Sequence, residues 1–182
     1  MKAQYANSHN GKIAFCAVLA TLALMFSYVE MLFPLSIAIP GVKIGIANIV
    51  VLVALYLFNA KYAFLVNAVR IALAGLLFTG LFGALFAFSG AMLSMFVMIL
   101  LKKTGKFSII GVSMGGGTAH NFAQVSLAAA IVENVNVFLY FPFLIVSGII
   151  SGIVIGFLAD IIVRRLKKLD IFKNTPYDGD GF

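Results

Sequence analysis

Apolar residues run through this chain in long blocks, interrupted at short intervals by one or a few polar, charged or turn-forming positions. The blocks fall near residues 13–33, 41–58, 61–82, 84–101, 107–132 and 136–163. Each is close to the roughly 20 apolar residues that a helix needs to cross a bilayer core. The breaks differ in character. Residues 34–40 are apolar and bounded by Pro34 and Pro40, 59–61 make a tight turn, 102–106 are basic, and 133–136 are acidic and amide-rich. The pattern predicts an all-α integral membrane protein with a bundle of six transmembrane helices. Residues 1–12 form an N-terminal segment, 13–168 the membrane domain and 169–182 a loose C-terminal tail.

Composition agrees, because 63% of residues are hydrophobic and only 10% charged, whereas soluble domains hold about half and about a quarter. Charge placement then sets an orientation. With the N-terminus in the cytoplasm, the inner segments collect Lys2, Lys12, Lys61, Lys102, Lys103, Lys106, Arg164, Arg165, Lys167, Lys168 and Lys173, while the outer loops hold Glu133 and no lysine or arginine. This is the positive-inside bias for two cytoplasmic termini in the cell membrane. It accounts for the net charge of +7 without a nucleic-acid partner. The first apolar block is too long for a signal-peptide core and lacks a cleavage pattern, so it reads as a retained span. Cys16, inside that block, is the single cysteine, which excludes an internal disulfide and a cysteine-rich metal site.

Small residues recur at packing intervals. Gly148, Gly152 and Gly156 make two overlapping small-xxx-small units, and Gly41 with Gly45 and Gly111 with Gly115 repeat the spacing. They predict close helix contact within the bundle or with a partner. Ala14, Ala17, Ala20 and Ala23 form a stripe on the first span that either packs internally or docks another membrane subunit.

Lys43 and Arg70 are the two basic residues left inside apolar sequence. An ionised side chain at membrane depth costs several kcal/mol unless it meets a cavity or a partner, so both are candidate functional residues. Arg70 lies about 13 Å beyond Lys61 by helical rise, near the middle of the bilayer, and Asn67 shares its helix face. Lys43 is about one turn from the outer end of its span and can reach outer water; Asn48 lies deeper. On the fifth span His120 sits in the outer half, followed by Asn121 and Gln124 and preceded by Gly115, Gly116, Gly117 and Thr118. Three successive glycines permit a bend or broken turn beside a cavity, or close packing. Lys43, Asn48, Asn67, Arg70, His120, Asn121 and Gln124 are therefore the candidate binding residues, and their balance of charge favours an anionic or electron-rich ligand. The competing reading pairs Glu30 with Lys43 or Arg70 and leaves the amides to satisfy the rest. Asp160, four residues before Arg164, is expected to make a local helix-surface pair. Acid–base pairs, nucleophile triads, metal-ligand clusters and a Walker phosphate loop are all missing from the sequence, so neither an enzyme nor a resident cofactor or metal is expected.

The run from Ile39 through Pro40, Gly41, Lys43, Gly45 and Asn48 to Val50, then Asn67-Ala68-Val69-Arg70, then Ala119-His120-Asn121-Phe122-Ala123-Gln124 resembles the Gx family of small bacterial membrane proteins. That family is often labelled heptaprenyl diphosphate synthase component I. It is similar in turn to the substrate-binding S components of energy-coupling factor transporters. The resemblance spans roughly residues 12–168 and implies a six-helix subunit of the bacterial cytoplasmic membrane. Such a subunit captures a vitamin, cofactor precursor or other anionic metabolite from outside and works with a transmembrane scaffold subunit and ATPase subunits. In S components small residues of the first helix contact the scaffold, commonly at a spacing of four; here the alanines recur every three. The alternative is a non-transporting accessory subunit in quinone, prenyl or flavin-linked electron-transfer metabolism. Prenyl chain elongation itself needs aspartate-rich, magnesium-binding motifs that this sequence lacks. A solitary carrier working without ATP is a third reading, although the spans offer few titratable residues for ion coupling.

Overall fold

The computed structural model describes residues 9–32 and 45–169, and these are helical with no strand among them. Six α-helices follow one another: α1 (His9–Leu32), α2 (Ile46–Leu57), α3 (Ala60–Ala74), α4 (Gly80–Lys103), α5 (Ile109–Val132) and α6 (Phe141–Lys167). A π-helical turn, Gly75–Thr79, joins α3 to α4, and a 3₁₀ turn, Val135–Tyr140, leads into α6. Among the described residues three stretches are long and apolar enough to cross a membrane: Asn10–Leu32, Ala60–Lys103 and Val135–Lys167.

The expected turns appear where the side chains cap helices. Asn59 is extended and its Oδ1 accepts from Lys61 N at 3.0 Å and Tyr62 N at 3.3 Å, which starts α3 two residues after α2 ends. Ser108 caps α5 by accepting from Gly111 N at 3.2 Å. One boundary moves. The third block is expected to end near residue 82, but the helix breaks at Gly80, whose φ of +67° suits glycine. A Cβ on Gly75 would lie 2.7 Å from Ala84 Cβ, although nine residues of straight helix span about 13 Å. The chain therefore doubles back at Gly80, in sequence too uniformly apolar to mark the spot.

α2 is the centre of the bundle. It packs against α1, α3 and α6, and every residue from Ile49 to Phe58 is buried, as expected for a helix that is apolar on all sides. At about 18 Å it is shorter than the roughly 30 Å hydrocarbon core. The N-terminal part of its expected span, 41–44, lies outside the described residues. Both ends of this short helix are closed by charge of the sign its dipole favours. At the N-terminus Glu30 Oε1 accepts from the backbone N–H groups of Gly45 and of Ile46, the latter at 3.1 Å. At the C-terminus Lys102 Nζ donates to Leu55 O at 2.7 Å and lies 4.6 Å from the centre of the Tyr56 ring.

α5 is sandwiched between α4 and α6, and its glycines explain the fit. Gly115 and Gly116 receive Leu101 and Met98 of α4, while Gly117 meets the Gly148 backbone of α6. From the other side Gly152 and Gly156 lie against the backbones of Met114 and Ile110. The small-xxx-small run of α6 therefore packs within the bundle. The glycine triplet does not break α5, which is continuous from Ile109 to Val132. In a bilayer, where lipid is as apolar as protein, such close backbone packing contributes more than apolar burial does.

Candidate functional site

Several hydroxyls along the helices are bonded to their own backbone. Thr21, Ser27, Thr118 and Ser126 each donate to a carbonyl one turn back, and no buried side-chain nitrogen or oxygen among the described residues lacks a partner. Against that background Arg70 stands out. It lies about 15 Å along α3 from Ala60. Its Nε and Nη2 donate to Asn67 Oδ1 at 3.2 and 2.8 Å, and its Nη1 donates to Ser27 Oγ of α1 at 3.3 Å. Asn67 is 4% exposed, and its position three residues before Arg70 lets one oxygen take both guanidinium donors. Ser27 is held in turn, donating to Ala23 O at 3.0 Å while accepting from Arg70. The guanidinium is thus oriented by neutral acceptors on two helices.

Glu30 does not form the expected ion pair with Arg70, and the alternative pair with Lys43 lies outside the described residues. Its carboxylate caps α2 and lies close enough to act on Arg70 through its field, but the two do not come within 4 Å. Among the described residues the ion pair within that limit is Arg164 Nε with Asp160 Oδ2 at 2.8 Å, the local pair expected on α6. Lys43 lies outside the described residues. Asn48 is part-buried in the first turn of α2, with its side chain beside Gly45.

The α5 candidates pack against α4 and α6. His120 lays its ring against Gly90 of α4, where a Cβ would fall 2.6 Å from Cε1 and Nε2. Asn121 Nδ2 donates to Leu144 O of α6 at 2.7 Å, and Gln124 Nε2 donates to Phe86 O of α4 at 3.3 Å. These two amides tie α5 to both neighbours. The structure therefore brings together Arg70, Asn67 and Ser27, with Glu30 nearby. Of the alanine stripe, Ala20 and Ala23 are buried in the core, whereas Ala14 and Ala17 are exposed. Ser27 escaped the sequence reading. Its signal was its place three residues before Glu30, on the same face of α1.

A wholly helical fold with three membrane-length apolar stretches and a guanidinium held between two helices defines a helical membrane protein. The model of the family described as heptaprenyl diphosphate synthase component I matches residues 19–162, and the chain belongs to that family. No curated protein and no solved structure matches the chain.

Proposed function

We propose that the chain is the substrate-capture subunit of an energy-coupling-factor-type transporter. It crosses the bacterial cytoplasmic membrane six times with both termini inside and binds an anionic organic metabolite from outside. The observation that carries this reading is Arg70: a guanidinium about 15 Å along an apolar helix from Ala60, oriented by Asn67 and Ser27, with no carboxylate among its hydrogen-bond partners. Such a group is costly unless its charge is used. The capped N-terminus of α2 nearby supports it, because short helices ending at depth are a recurrent way to build ligand sites in transporters. Asn48, beside Gly45 in the first turn of α2, extends the site in this reading. Ala14 and Ala17, exposed on α1, form the face for a scaffold subunit, and ATP hydrolysis belongs to partner subunits.

The experiment is binding by the full chain in lipid nanodiscs to a panel of carboxylate and phosphate-ester metabolites, followed by native mass spectrometry and thermal shift. Binding that Arg70→Ala weakens supports capture; a silent panel, or unchanged affinity in the variant, removes it. The family's description favours a second reading, an accessory membrane component of prenyl diphosphate synthesis. Copurification with a soluble synthase, without an ATPase module and without ligand uptake, would select it.

A further inference from the structure

Two opposite charges stand on adjoining helices without closing onto each other. Glu30 offers Oε1 to the Gly45 and Ile46 amides, and its Oε2 accepts from no described residue. Arg70 spends one N–H on each of its three nitrogens, all on neutral acceptors. A guanidinium has five N–H donors, so one remains on each Nη. Ser27, which touches Arg70, is three residues from Glu30 on one face of α1, and the carboxylate's field reaches the guanidinium. Two such charges in a low-dielectric interior attract strongly. Here each is anchored separately, the carboxylate by backbone amides and the guanidinium by Asn67 and Ser27, and the two form no ion pair.

We infer that this pair of separately held charges takes an amphoteric ligand of the amino-acid type, whose acidic group meets the remaining Nη N–H donors of Arg70 while its ammonium meets Glu30 Oε2. The inference rests on the capture reading and changes its ligand from a net anion to one that carries an ammonium beside its acidic group. A ligand carrying both signs matches a pair whose charges sum to zero, whereas a purely anionic one meets Glu30 as a repulsive neighbour.

The test uses the full chain in nanodiscs and three probe pools: free α-amino acids, the same amino acids N-acetylated, and carboxylates and phosphate monoesters without nitrogen. Binding is read by native mass spectrometry and titrated for every member that binds. Free amino acids are expected to bind, and N-acetylation, which removes the ammonium, to weaken them about 10- to 100-fold, the worth of a charge-assisted hydrogen bond. Glu30→Gln keeps an acceptor for the α2 amides. It should lower affinity for the free amino acids by a similar factor and raise that for the acetylated forms, which no longer meet a carboxylate of their own sign. If N-acetylation has no effect, or Glu30→Gln weakens both forms equally or neither, the inference is wrong. Should nitrogen-free acids alone bind in an Arg70-dependent way, it is also wrong while the capture reading survives. Silence from all three pools removes both.

Discussion

Replacing Glu30 with alanine isolates the contact that holds the central helix. In the native fold one carboxylate oxygen serves two α2 amides, Gly45 N and Ile46 N. Gly45 is committed to this geometry, because its φ of +77° lies in the left-handed region and a Cβ there would sit 3.0 Å from Ile155 Cδ1. Alanine leaves both donors without their acceptor, at about 1–3 kcal/mol for each group that stays dry. It also removes a negative charge from the positive end of a helix, worth about 0.3–1 kcal/mol at exposed sites and up to about 2 when partly buried. Rearrangement and water recover part of this, so the expected loss is about 2–5 kcal/mol. Glutamine retains an acceptor oxygen and loses only the charge, so Glu30→Gln should cost about 1 kcal/mol. Equilibrium unfolding of both variants in bicelles, measured by steric trapping, separates the two numbers. Glu30→Ala as stable as wild type, or no more damaged than Glu30→Gln, would show that the carboxylate does not cap α2.

Gly152→Ala should destabilise the α5–α6 contact by about 1–3 kcal/mol, since its Cβ would fall 2.6 Å from Met114 Cα and 2.9 Å from both Met114 N and Ser113 O, all of them backbone. The same assay on Ile153→Ala, from the exposed side of α6, should read a much smaller change. Lys102→Met removes the bond to Leu55 O and the contact with the Tyr56 ring. A loss of about 1–2 kcal/mol is expected from the helix C-terminus and the cation–π contact together, and a neutral result in bicelle unfolding would exclude the C-terminal cap.

Much of the helical frame was legible in the sequence because its causes are local. Apolar blocks name the helices, Asn59 names the turn, and Gly148, Gly152 and Gly156 name a face that lets two backbones meet. The pairing of Arg70 with Asn67 follows from a three-residue spacing, as does the bond between Asp160 and Arg164 from a four-residue one. The rest depends on contacts between distant segments. Glu30 lies fifteen residues before Gly45 and bonds backbone amides, donors that no residue letter advertises, so a side-chain ion pair was the nearer expectation. Lys102 reads as an inner-loop charge and also closes α2, 47 positions away. Asn121 and Gln124 carry the chemistry of ligand contacts, yet their donors bind the neighbouring helices at Leu144 and Phe86. Gly115, Gly116 and Gly117 allow either a break or close packing. The choice is made by Leu101, Met98 and Gly148, which press on the three positions from two sides.

Affinity at Arg70 tests the function most directly. Wild type and Arg70→Ala, each as the full chain in nanodiscs and each checked for unfolding midpoint, would be titrated with whichever acidic metabolite of the panel binds wild type. Loss of the guanidinium donors should reduce affinity about 10- to 100-fold or more, with the variant still folded. A folded Arg70→Ala that binds the same metabolite as tightly as wild type would contradict a ligand site built on Arg70.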